Sequence, residues 1–274
     1  MINFIDVVEG EPDTTYHAHK DYLSSSGARQ LLRMSPYKWN YLRDHPEPSK
    51  SVFDVGKAAH TLVTGTGEEF VVVAADSWRV KFAQELRAEA YRDGKTPLLT
   101  KEYEQVLAMR EALENHGEAW GLVSGCDARE WSFYMDWDGV KCRTRPDLYD
   151  SQRHLVVDYK TTTDAGLEAF SKAYSPARGF GYAMQAAWYR DTLEAYTGVA
   201  HDFLFVVQEK TPPYQVAVYR TSPYDLDLAG RLNRKARNIF SLYEGLGAWS
   251  KLGEQQVQLS DWERSGIEDA KEVF

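Results

Sequence analysis

What this chain has little of already narrows its chemistry. Its 274 residues include only two cysteines, Cys126 and Cys142. That is too few for a disulfide framework or a four-cysteine cluster. Both fall near strand-like segments and read as buried free thiols. No apolar run reaches the roughly 18 residues that a membrane span requires. The opening residues, Met1-Ile2-Asn3-Phe4-Ile5-Asp6, carry neither a basic stretch nor a long apolar segment. A secretory signal is therefore not expected, and a cytoplasmic protein is. The Walker A pattern is missing, which argues against helicase or ATP-driven activity. No internal repeat and no low-complexity linker stands out. Positive charge is also scarce: 32 Lys and Arg stand against 41 Asp and Glu, a net charge of −9. That balance argues against a simple nucleic-acid coat.

What is present points to a folded α/β protein. The chain is 43% hydrophobic and 13% aromatic, with eight Trp, which excludes a disordered protein and supplies ample core. The few cations are unevenly placed. Arg29, Arg33, Lys38 and Arg43 fall in a stretch without acids, and so do Arg231, Arg234, Lys235 and Arg237. Lys141, Arg143, Arg145 and Arg153 surround an acidic pair considered next. Basic stripes on an acidic protein suit phosphate binding in a cleft or channel, although either stripe alone reads better as a solvated helix face.

The most informative stretch runs from Arg145 to Lys160. Arg145-Pro146-Asp147 ends one strand-like segment; ten residues intervene, and then comes Asp158-Tyr159-Lys160. Successive strand side chains point to opposite faces, so Asp158 and Lys160 share a face and Tyr159 turns away. Taken alone, Asp-x-Lys is commonly a solvated strand edge or a surface ion pair. Here the apolar run Leu155-Val156-Val157 precedes it, and a buried strand that abruptly delivers Asp and Lys points to a site. Two carboxylates and an ammonium at strand ends are what metal-assisted phosphodiester hydrolysis requires.

The remaining pattern gives an order of elements. Ser24-Ser25-Ser26 caps a helix, Ser35-Pro36 stops and restarts it, and residues 52–64 form another helix containing Gly56 and His60. Residues 76–93 and 100–116 read as charged amphipathic helices separated by Gly94-Lys95-Thr96-Pro97. Glu130 opens a strand that alternates to Trp137, Asp138-Gly139 forms a type I′ turn, and Val140 to Tyr149 returns. His154–Lys160 is a third strand. Helices over 165–174 and 180–197, strands over 203–207 and 214–219, and a long helix over 223–247 follow. Gln185 and Tyr189 are four apart on the second of those helices and share a face. The tail after Lys251 is polar and acidic apart from Trp262 and is expected to lie along the surface. This order describes one domain over 1–274 with a mixed sheet flanked by helices. Residues 1–120 would be a mainly helical N-terminal elaboration, 128–250 the catalytic core and 251–274 the tail.

The series Gly56-x-x-x-His60, Glu130, Arg145-Pro146-Asp147, Asp158-Tyr159-Lys160 and Gln185-x-x-x-Tyr189, in that order, resembles the motifs of PD-(D/E)xK nucleases. Within that superfamily the chain is similar to phage and prophage exonucleases of the exonuclease VIII (RecE) type. Tyr22-Leu23-Ser24-Ser25-Ser26 followed by Ser35-Pro36 resembles the opening of those domains, and the resemblance spans roughly residues 16–262.

The resemblance implies a restriction-endonuclease-like α/β fold and a role for each matched position. Asp147, Asp158 and the backbone carbonyl of Tyr159 would hold Mg²⁺ or Mn²⁺, with His60 a further ligand or a support. Lys160 would orient the attacking water, Gln185 and Tyr189 would contact DNA and steady Lys160, and Glu130 would shape the site. On the placement of the basic stripes, Arg29, Arg33, Arg145, Arg231 and Arg234 would bind DNA. The implied activity is metal-dependent 5′→3′ digestion of linear double-stranded DNA to mononucleotides, leaving 3′ single strands for phage recombination in a bacterial host cell. A RecT-like single-strand annealing protein and a ring-shaped homo-oligomer are the implied partners. A structure-specific or single-strand nuclease of the same superfamily, or a non-catalytic DNA-end-binding protein, is the alternative. Two departures stand out. The second acidic position, often Glu in the superfamily, is Asp158, and the four cysteines of its iron–sulfur branch are absent.

Overall fold

A computed structural model describes residues 1–46, 51–251 and Arg264. The chain opens with β1 (Ile2–Val8), a short α1 (Asp13–Ala18) and β2 (Leu23–Ser24). Next comes α2 (Ser25–Leu31), capped by Ser24, whose Oγ accepts from the Gly27 amide at 3.1 Å. α3 (Pro36–Asp44) begins with Pro at its first position, and the Ser35 hydroxyl accepts from Lys38 N at 3.3 Å. α4 (Asp54–Thr64) follows a single 3-10 turn. Then come β3 (Phe70–Val73), α5 (Lys81–Arg92), β4 (Thr96–Leu99), α6 (Thr100–Asn115) and α7 (Gly117–Ser124). The expected turn at Thr96-Pro97 is instead part of β4, paired in parallel with β3. Proline is tolerated there because the pair is two-stranded and β4 is an edge.

The second half holds β5 (Ala128–Arg129), β6 (Ser132–Trp137), β7 (Val140–Thr144), β8 (Leu148–Asp150) and β9 (Leu155–Thr162). It continues through α8 (Leu167–Tyr174), α9 (Tyr182–Thr197), β10 (Asp202–Glu209), β11 (Val216–Arg220) and α10 (Pro223–Leu246). The hairpin turn has positive φ at both central residues, 55° at Asp138 and 81° at Gly139, as a type I′ turn demands. The C-terminal tail lies outside the described residues apart from Arg264. Among the described residues no helix is long and apolar enough to cross a membrane.

These strands form separate sheets. One is β1-β6-β7-β2; the other is β11-β10-β9-β8-β5, mixed because β9 and β10 run parallel while the other pairs are antiparallel. The expected return strand from Val140 to Tyr149 is therefore two strands in two sheets. Pro146 has no N–H to offer a ladder, so pairing with β6 ends at Thr144 and the chain enters the second sheet at Leu148. The same crossing occurs in the opposite direction between β5 and β6. Glu130, expected to open a strand, lies in that crossing at φ 48°, and its amide donates to Asp147 O at 3.1 Å.

The mixed sheet separates two apolar cores. Val156, Phe203, Phe205 and Val207 pack with Ala186, Ala187, Trp188 and Phe240 on one side. Val157, Tyr159, Leu204 and Val206 pack with Ala58, Ala59, Val106 and Met109 on the other. The alternation along β9 and β10 decides which residue meets which core. Cys126 and Cys142 are buried and free, as expected.

Arg145 ties the N-terminal segment to the sheets. Its guanidinium reaches Asp13 at 2.5 Å, Glu11 at 3.4 Å, the Glu11 carbonyl at 2.7 Å and Ser132 Oγ at 3.0 Å, with the Tyr16 ring centre 4.2 Å away. Expected to bind DNA, it is buried and committed to these partners. Burial resists the charge of Glu11, but hydrogen bonds from Ser132 and Tyr134, with the charge of Arg145, hold that carboxyl below the usual range. Arg145→Met strands two carboxylates and is expected to cost about 3–5 kcal/mol of unfolding free energy. Urea denaturation reads this directly, and an unchanged midpoint would refute the anchoring role.

Candidate active site

Strand alternation on β9 places Asp158 and Lys160 on the face that meets α9, while Tyr159 turns to the opposite core. There its hydroxyl bonds Gln208 Oε1 at 2.5 Å. Asp158 is fully buried and forms an ion pair with Lys160. Its other oxygen accepts from Gln185 Nε2 of α9 at 2.7 Å. Asp147 stands one residue beyond the Leu148↔Val157 pair, hence beside Asp158. Its carboxylate accepts from the Tyr159 amide at 3.2 Å and meets His60 Nε2 of α4 at 3.2 Å. His60 Nδ1 lies 3.9 Å from Glu130.

Why α4 can bring His60 this close is written in Gly56. A Cβ there would lie 2.7 Å from Thr161 Oγ1 of β9, so only glycine allows the helix to approach the strand at this point. His60 follows one turn later and faces Asp147.

The charges perturb one another. Burial, then the neighbouring charge of Asp147, push the Asp158 carboxyl up to about 6. Burial also opposes the charge on Asp147, but His60 and Lys160 outweigh it and hold that carboxyl below its ordinary value. Lys160 would be lowered by burial, yet Asp158 and Asp147 raise it. His60 is likewise raised, chiefly by Asp147 against burial, and Glu130 is raised by burial first.

The cluster opens on a cavity of about 770 Å³ whose lining includes His60, Glu130, Lys160, Tyr189, Arg29 and Tyr182. Asp147 and Asp158 sit behind the His60 and Lys160 side chains. The sequence-derived positions His60, Glu130, Asp147, Asp158, Tyr159, Lys160, Gln185 and Tyr189 thus come together around one cavity.

The expected DNA-binding arginines come together there only in part. Only Arg29 and the buried Arg145 line the cavity. Arg33 donates to the carbonyls of Pro176 (3.3 Å) and Gly179. Arg231 and Arg234 are exposed on α10, in a shallow groove with Lys235 and Leu242. Arg237 of the same stripe is buried with its guanidinium 3.9 Å from the Trp137 ring centre. Sequence reasoning missed Tyr182, whose ring lies 5.3 Å from Lys160 Nζ and 5.9 Å from Arg29. The only signal for it was its position three residues before Gln185 on the same helix.

A divalent cation is implied by the resemblance, and the donor chemistry suits one. Glu130, Asp147 and Asp158 outnumber the single Lys160 ammonium, and their oxygens are hard ligands. Gln185 Oε1, buried beside them, has no hydrogen-bond partner among the described residues. Among the described residues no three His, Cys, Asp or Glu side chains already close around one point; they are engaged pairwise with Lys160 and His60.

The profile of a PDDEXK-like domain of unknown function, DUF3799, matches residues 24–239. The chain belongs to this PDDEXK-like family. No curated protein matches it. The crystal structure of a "putative exonuclease" from Eubacterium rectale has the same fold: 96% of this chain and 99% of that one superpose with a TM-score of 0.64 at 14% identity. SSO0001, also a crystal structure, aligns over 69% of this chain and 86% of its own at 17% identity, but its TM-score of 0.29 carries no weight. The α/β fold and the superfamily inferred from motif order are those of this PDDEXK-like family.

Gly56→Ala is expected to cost about 1–3 kcal/mol by overpacking α4 against β9. Adding Thr161→Ala should recover most of that loss in denaturation midpoints. Failure of the double variant to recover would show that the close approach is not limited by Thr161.

Proposed function

We propose that this chain is a divalent-metal-dependent deoxyribonuclease that digests linear double-stranded DNA from its ends, 5′→3′, to mononucleotides. One observation carries the reading: the half-buried Asp147 and the fully buried Asp158, held by Lys160, His60 and Gln185, stand together at a cavity large enough for a nucleotide. Membership of a PDDEXK-like family supports it, as does the likeness of fold to a protein named as an exonuclease. Polarity, the recombination role, the ring assembly and the annealing partner rest on the resemblance alone.

Asp147 and Asp158 would hold the metal, with His60 and Glu130 beside them. When bound, the metal supplies a lowered pKa for coordinated water and a counter-charge for phosphate. Every other contribution comes from the chain. Lys160, kept protonated by two carboxylates, presents an ammonium to the phosphate oxygens as negative charge builds up. Gln185 fixes the orientation of Asp158, so Lys160 has one position rather than several. Tyr189 lines the same cavity and remains protonated, because burial pushes its hydroxyl well above the ordinary value. It can therefore donate to a phosphate oxygen.

The test is digestion of blunt linear duplex labelled at the 5′ ends, with Mg²⁺, beside a covalently closed circle. Release of the label as mononucleotide from linear DNA alone is expected. Asp158→Asn should abolish cutting, and Lys160→Ala should lower turnover by roughly 10²-fold or more. Normal turnover in Lys160→Ala would remove its assigned role. Cutting of the circle would turn the reading to an endonuclease, and no cutting with any divalent metal to a DNA-end-binding protein.

A further inference from the structure

Residues 175–181, between α8 and α9, are irregular in conformation yet firmly held. Arg33 donates to the carbonyls of Pro176 and Gly179, and Arg29 Nη1 donates to that of Phe180 at 3.2 Å. The Gly181 amide donates to Ala173 O at 3.0 Å. At Gly179 a Cβ would overlap the Lys172 carbonyl oxygen, so the turn can be packed this tightly only with glycine. Two guanidinium groups are thus spent on fixing one short loop by its main chain.

The loop presents a single large apolar side chain. Phe180 is 62% exposed, although it lines the cavity that holds Lys160. One face of its ring rests on Tyr182, with centroids 5.5 Å apart and planes at 24°. Tyr182 stacks in turn on Phe170, at 6.1 Å and 28°, and Phe170 lies flat on Tyr219, at 4.5 Å and 8°. The stack runs from the core to the cavity rim and ends on an open aromatic face. Tyr182 is also the ring that faces Lys160 and Arg29, so the open face stands one ring from the ammonium assigned to the phosphate. An exposed phenylalanine supported by a stack that reaches the core, on a loop pinned by two arginines, is a surface built to be covered.

We infer that Phe180 is a stacking platform for a nucleobase of the substrate, so that a nucleotide whose base is unpaired, at a strand end or in a single strand, is positioned for cutting. The inference rests on the nuclease reading for the identity of the ligand. Every base has a π-face, so this platform tolerates any sequence and discriminates against a nucleotide locked in a duplex. Lys160 flanks the stack and supplies charge for the adjoining phosphate. Phe180 acts as a positioning residue; its loss weakens productive binding and leaves the chemistry of Lys160 and Asp158 intact.

The experiment uses the full chain, with oligonucleotides carrying 2-aminopurine at the 5′-terminal or the second position. In an Asp158→Asn background, which binds without cutting, the probe is expected to be quenched by Phe180 and Phe180→Trp proteins and to remain bright with Phe180→Leu. In the cutting protein, Phe180→Leu should raise KM roughly tenfold or more while kcat changes little. Phe180→Trp should stay near the parent, and an abasic nucleotide at the end should erase the difference between Phe and Leu. Persistent quenching with Phe180→Leu, or equal KM for Leu and Phe, overturns the platform even if DNA is cut. A parent protein that cuts no DNA but shows Phe180-dependent quenching leaves the platform standing and removes the nuclease reading.

Discussion

Two carboxylates stand side by side in the interior, and much of the domain is arranged so that they can. Asp147 and Asp158 occupy neighbouring positions across β8 and β9, and Asp158 has no exposure to solvent. Burial and mutual repulsion both disfavour their charged forms. The remedy comes from separate parts of the chain. Lys160 arrives through the two-residue repeat of β9, His60 through α4, and Gln185 through α9. Remove Lys160 and the buried charge of Asp158 is left without its counter-ion, which is far more costly than the pair is stabilising. The parallel pairing of β9 with β10 fixes the strand that carries Asp158 and Lys160.

The same constraint explains the two sheets. A single long hairpin would have put Asp147 in a regular ladder, with its side chain committed to one face. Instead the chain leaves one sheet at Arg145-Pro146 and enters the other at Leu148. Glu130 lies in the reverse crossing, and its amide is bonded to the Asp147 carbonyl. Both crossings occur at one corner, and that corner borders the cavity. Arg145 closes it from the other side by gathering Glu11, Asp13 and Tyr16, so the N-terminal segment becomes a wall of the site without contributing to its chemistry.

Period-two and helical patterns were legible in the sequence wherever a segment met its core on one face. β6, β9, β10 and α10 emerged close to their observed limits, and Asp158 and Lys160 were assigned to one face correctly. The acids, His60, Gln185 and Tyr189 were grouped by motif order, and the fold does bring them together. What sequence could not show was commitment. Arg145, Arg33 and Arg237 carry the same charge as free phosphate ligands, but they are engaged by carboxylates, by main-chain carbonyls and by a tryptophan ring. Partners that distant in sequence leave no local trace. The parallel β3–β4 pair was hidden for a related reason. Pro97 signals a turn in any local reading, and only the edge position makes it a strand.

That commitment bears on how an acidic protein would engage DNA. Arg143, Arg145 and Arg237 are buried and Arg33 is bonded to main-chain carbonyls, so these four cations are committed within the fold and not to a polyanion. Arg29 serves the Phe180 loop, and Lys57 is paired with Glu68 at 2.9 Å. The affinity those charges do not supply has to come in part from contacts that do not depend on counterion release. The cavity offers such contacts. Its aromatic rim, with the Lys160 ammonium beside it, favours one nucleotide held closely over a long duplex held loosely. On the proposed reading, selectivity for strand ends is then a property of the cavity itself. A terminal nucleotide can leave its neighbours to enter it, and an internal one must first give up its pairing and stacking.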